Sequence, residues 1–168
     1  GLVFGSMLLG SVVWRRYRAG RWPVYERRVQ LNHFLPAGLQ LIIFAYWSLY
    51  WREMTDIFPM IALEVLAALL LDTLLHLWRE DKLVLSGGAL PITLSTNLFV
   101  IFAPGGAWLS LLAVAVALLT KHFVRSSRGH VFNPSAIGLL VVGVASLLIP
   151  QLGYGDTVHE FSLVPNVT

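Results

Sequence analysis

Long apolar runs separated by short polar breaks organise this chain. Asn32 to Trp51 gives twenty residues, apolar after the first two and closed by Tyr46, Trp47, Tyr50 and Trp51. Such an aromatic cluster suits the headgroup level of a bilayer. Arg52 to Asp56 makes a short polar turn, and Ile57 to Trp78 returns across. The next run, Leu83 to Ala103, has twenty-one residues, but Ser86, Gly87, Gly88 and Pro91 interrupt its first half and Thr93, Ser95, Thr96 and Asn97 stud its middle. It reads as a broken or re-entrant helix, which is tolerated at membrane depth only against protein or a polar cavity, because lipid cannot satisfy bare amides. A tight turn follows at Pro104, Gly105 and Gly106, then Ala107 to Val124 goes back and a last span covers 134–150. Leu2 to Trp14 is only thirteen residues, against the roughly 20 that a span requires, and reads as the tail of a longer helix. The predicted fold is all-α: one polytopic transmembrane helix bundle over 1–168, with two broken or re-entrant helices, cut from a longer chain.

Composition agrees with that pattern. With 57% hydrophobic residues, 12% charged residues and a mean hydropathy of +0.72, too little polar side chain exists to cover a soluble globule. The excess of 12 Lys and Arg over 9 Asp and Glu would suggest nucleic acid in a soluble chain; here its placement reports topology. Eleven of the twelve basic residues fall in three loops on one side: Arg15, Arg16, Arg18, Arg21, Arg27 and Arg28; Arg79 and Lys82; Lys121, Arg125 and Arg128. Only Arg52 lies opposite. This asymmetry predicts that the basic loops face the cytoplasm and that the Arg52 turn, the Pro104 turn and the tail over 151–168 lie outside, as in a bacterial inner-membrane protein. The first linker reads as a solvated loop holding anionic headgroups, so the expected partner is the lipid bilayer and not nucleic acid. Absence of cysteine excludes disulfides, thiolate-held iron–sulfur clusters and thioether haem attachment.

Two stretches repeat one design, in which a basic end leads through small residues and a proline into an apolar helix. Lys82 precedes Ser86, Gly87, Gly88 and Pro91; Arg128 precedes Gly129, His130, Asn133, Pro134 and Ser135. Paired interruptions of this kind point to a binding site, since amides at a helix start favour an anion and glycine lets backbone approach a ligand. A second reading stays open: Gly and Ser allow close helix packing, and Asn133, Pro134 and Ser135 cap a helix. On the return helix, Asp72 and His76 are four apart and Glu64 is two turns from Asp72, so the three share roughly one face. They suit a proton relay or a cofactor contact, or else His76 pairs with Asp72 or reaches the interface. Lys121 and His122 end a helix, where a cation suits the dipole and snorkels to the headgroups. His33 and His159 lack partner spacing, and no metal site is expected, while haem ligation by His33, His76, His122 or His130 stays open.

The run Ser86, Gly87, Gly88, Ala89, Leu90 through Pro104, Lys121 and Phe132, Asn133, Pro134, Ser135 resembles the family of the D subunit of Rnf ferredoxin:NAD oxidoreductases and the B subunit of sodium-pumping NADH:quinone oxidoreductases, over about residues 86–140. The resemblance implies a membrane subunit of an electron-transport complex, with other membrane and redox subunits as partners and in some complexes ion movement. It also implies non-covalent FMN or riboflavin, or a quinone, bound or positioned by Ser86, Gly87, Gly88, Thr93, Lys121, Arg128, Gly129, His130, Asn133, Pro134 and Ser135. The family's covalent FMN threonine follows a Ser, Gly, Ala, Thr type motif that this sequence lacks, so covalent FMN is not carried over. Two further classes fit the same sequence: a channel or carrier for a small solute or ion, and a structural membrane subunit of a larger assembly.

Overall fold

A helical hairpin forms the frame. Helix α1 (Leu31–Tyr50) ends at Trp51, whose amide donates to the Trp47 carbonyl at 2.8 Å, and α2 (Arg52–Glu80) starts one residue later. The computed structural model describes residues 23–100, 106–126, 129, 130 and 132–149, with isolated positions between 7 and 20. Expectations for the Leu2 to Trp14 run lie mostly outside the described residues, and those for the Pro104 turn, Arg128 and the 151–168 tail lie largely or wholly outside them.

At 29 residues, α2 is about 44 Å long, more than the roughly 30 Å of a hydrocarbon core. It stops at Asp81, which adopts left-handed backbone with φ of 55°, a conformation that Asp tolerates better than most side chains. That bend turns the chain into strand β2 (Lys82–Ser86), which pairs in parallel with β1 (Val24–Arg28) from Val24 opposite Lys82 to Arg28 opposite Ser86. Because the helices between them go out and come back, both strands lie at one end. Gly87 and Gly88 turn into the short helix α3 (Ala89–Val100), followed by α4 (Gly106–Phe123). A two-residue ladder of β3 (Arg125–Ser126) and β4 (Gly129–His130) leads to α5 (Pro134–Leu148).

The chain is mostly helical, and among the described residues two helices, α2 and α4, are long and apolar enough to cross a membrane. Three apolar clusters hold the helices together. Ala68, Leu75, Ala89, Ile92, Val114 and Leu118 join α2, α3 and α4; Phe44, Met54, Ile61 and Leu94 join α1, α2 and α3; Val100, Leu109, Ala113 and Val142 join α3, α4 and α5. At the last of these a Cβ on Gly138 would collide with the Ala113 carbonyl oxygen. Glycine is therefore what permits α4 and α5 to approach so closely.

Several expectations are corrected. The architecture is not purely helical: Val24–Arg28, expected as solvated linker, is a strand, and so is the start of the Leu83 to Ala103 run. Its interruption is a strand, a glycine turn and then a helix of 12 residues, about 18 Å, rather than a broken helix. A parallel partner supplied by β1 explains this, since Leu83, Val84 and Leu85 find ladder bonds there. The polar Arg52 to Asp56 turn is also helical from Arg52 onward, with Met54 buried.

Candidate functional site

Two polar centres lie inside the apolar bundle, both built on α2. Eight residues apart, Glu64 and Asp72 are each about 1% exposed, and at 1.5 Å per residue they stand about 12 Å apart along the helix. Ala68, one turn from each, belongs to the apolar cluster with Ile92, Val114, Ala117 and Leu118, so dry packing separates them.

In the Asp72 centre, α4 supplies two consecutive side chains. Lys121 Nζ donates to both carboxylate oxygens of Asp72, at 2.8 and 3.1 Å, and His122 Nε2 lies 2.8 Å from Oδ1. An ionised carboxylate only accepts, so His122 donates from Nε2; its Nδ1 is buried with no partner among the described residues. The ring of His122 meets that of His76 edge-on with centroids 4.5 Å apart. His76 Nδ1 in turn lies 3.1 Å from Glu80 Oε1. Donor atoms from Asp72, His76 and His122, one from each, all fall within 4.8 Å of one another, a spacing that a metal ion can gather.

The network then continues to the surface. Arg28 reaches Glu80 at 2.8 Å and Glu26 at 2.6 Å, and Lys82 reaches Glu26 at 2.7 Å. Hydrogen bonds from Arg28 and Lys82 hold the Glu26 carboxyl down at about 2, and Glu26 in turn raises the already high Arg28. The β1–β2 pairing is what places these strand residues at the end of α2.

The Glu64 centre has neutral donors only. Asn97 Nδ2 donates to Glu64 Oε2 at 2.8 Å and Ser110 Oγ donates to the same oxygen at 2.7 Å. Asn97 Nδ2 also reaches the Thr93 carbonyl at 3.0 Å. Glu64 Oε1 and Asn97 Oδ1 are buried with no partner among the described residues.

The residues expected from sequence divide between two places. Ser86, Gly88 and Lys121 meet: Ser86 Oγ accepts from the Gly88 amide at 3.1 Å, and a Cβ on Gly88 would stand 2.9 Å from Lys121 Nζ. Gly87 backs against His33 in the same way, at 3.4 Å from Nδ1. The side of Gly88 that a Cβ would occupy thus faces Lys121, and that of Gly87 faces His33 and Phe34. Thr93 is buried and its hydroxyl donates to the Ala89 carbonyl at 2.9 Å. On α5, Asn133 caps the helix by accepting from the Ser135 amide at 3.1 Å, with Pro134 in the first turn. The Ser95 hydroxyl donates to that of Ser135 at 2.7 Å, which ties α3, one turn past Pro91, to the second stretch at the start of α5. Gly129 and His130 are described as backbone in β4, and Arg128 lies outside the described residues.

Two expectations fail here. Lys121 does not snorkel outward but is buried on Asp72, and His76 pairs with Glu80 rather than with Asp72. In each case a charged partner on a neighbouring turn or helix outcompetes the route to the interface. Glu80, Arg28, Glu26 and Ser110 were missed; a hydroxyl alone in an apolar run marked Ser110, whereas nothing in the sequence places Arg28 beside Glu80. Comparison with protein-family models, with curated proteins and with solved structures gives no match for this chain.

Proposed function

We propose that this chain is a polytopic integral membrane subunit of an electron-transport complex. The membrane part rests on one observation: polarity is inverted. Buried positions hold Glu64, Asp72, His76, Asn97, Lys121 and His122, while Leu39, Ile42, Leu63, Leu66, Leu70 and Leu147 are each at least 60% exposed. An apolar exterior of this extent favours hydrocarbon as its solvent, and ionisable groups inside such a bundle mark functional positions. In this reading α3 is a half-length helix held against protein, and the basic loops face the cytoplasm.

The redox part rests on the resemblance over about residues 86–140 and on the joining of α3 to the start of α5 through Ser95 and Ser135. The glycine turn serves this chain's interior, so a flavin or quinone would meet the protein at the exposed start of α5, beside Phe132 and Asn133. The test is gentle extraction followed by an optical spectrum and lipid-quinone analysis. Stoichiometric flavin or quinone supports the proposal, and colourless, quinone-free protein that purifies without redox partners overturns it.

The Glu64 centre favours a second reading, a channel or carrier for a small cation. Two oxygens on neighbouring helices, buried without a partner among the described residues, are what such a path needs. Liposome flux that collapses in Asn97→Leu would support it.

A further inference from the structure

We infer that Asp72, His76 and His122 form a binding site for a divalent first-row transition metal ion. Asp72 and His76 are one turn apart on α2 and so face the same way; His122 comes from α4, and one donor atom of each lies within 4.8 Å of the others. Two imidazoles and a carboxylate suit zinc, cobalt, nickel or iron rather than magnesium or calcium, and three protein ligands leave at least one coordination position open.

Two features of the surroundings point to a ligand. His76 Nδ1 is 3.1 Å from Glu80 Oε1, and since the carboxylate only accepts, the proton sits on Nδ1 and the Nε2 lone pair is left for a metal. A carboxylate behind a histidine in this way orients metal-binding imidazoles and raises their basicity. His122, 1% exposed, has Nδ1 without a partner among the described residues. Its proton can move from Nε2 to Nδ1 without breaking any bond at Nδ1, which frees Nε2 beside Asp72.

Lys121 is the competitor. Its ammonium holds both Asp72 oxygens and satisfies the carboxylate when no metal is bound. A metal ion takes that place, and Lys121, whose ammonium already lies over Gly88 at 2.9 Å from where a Cβ would stand, gives up the carboxylate. The site stands on its own donor set and does not rest on the redox reading.

The experiment titrates the full chain in detergent with Co(II), followed by displacement with Zn(II). One Co(II) per chain with visible ligand-field absorption is expected, lost in the His76→Gln, His122→Gln double variant. Glu80→Gln, at the solvent end of α2, weakens binding about 10–100-fold. Lys121→Met tightens it about tenfold, because a cation within hydrogen-bond distance of the same carboxylate is gone. A purely structural ion pair predicts the opposite for Lys121→Met: loss of stability and no gain in affinity. Cobalt absorption no greater than in the double variant, or weaker binding in Lys121→Met, overturns the site.

Discussion

Asp72 and Glu64 are carboxyls on one helix, equally buried, yet their surroundings differ in kind. Asp72 is met by a lysine and a histidine, Glu64 by an amide and a hydroxyl. Equal burial therefore does not make the two centres alike; the charge of their partners separates them. An ion pair in low dielectric is costly to break, because the survivor is left uncompensated. A carboxyl among neutral donors has no ion pair to break, and when ionised it is itself a buried charge without a counter-ion.

The sharpest way to break the comparison is to remove one partner from each centre. Asp72→Ala strands the Lys121 ammonium in the apolar interior and is expected to cost about 3–5 kcal/mol, read from thermal unfolding in detergent. Next in size, Ser110→Ala removes one donor from Glu64; about 1 kcal/mol is expected if the acceptor is neutral, and about 1.5–3 kcal/mol if it is ionised. The same melt decides between them and so fixes how unlike the two centres are. The smallest effect belongs to the surface end. Glu26 is depressed from 4.5 to about 2, so its contribution is fully present above pH 4.5 and is lost as pH falls toward about 2. Melts across that window should show an acid-sensitive share in the parent chain that is absent in Glu26→Gln.

Hydropathy made the helices legible because burial in lipid or in the bundle demands the same apolar runs. Leu31–Tyr50 and Gly106–Phe123 start and stop within a residue or two of where their patterns do. The stripe of Glu64, Asp72 and His76 on α2 was legible for the same reason, since helical period puts them on one face. What periodicity does not carry is partnership. Lys121 and Asp72 are 49 positions apart, and a lysine at a helix end reads equally well as snorkelling or as buried. Lys82 to Ser86 became a strand because β1 lies beside it, although its run of Leu, Val and Leu suits a helix in lipid just as well. Gly88 leaves room for Lys121 Nζ, a contact across 33 positions that the sequence does not signal.

The parallel β1–β2 ladder also orders events in biosynthesis. Val24 and its partner Lys82 are separated by 58 positions, and the whole α1–α2 hairpin lies between them. As the chain is made from its N-terminus, β1 emerges before both helices and before its ladder partner β2. Only once both helices have followed do Arg28 and Glu80 come within reach, and the strand pair closes behind the hairpin as a latch that records its completion.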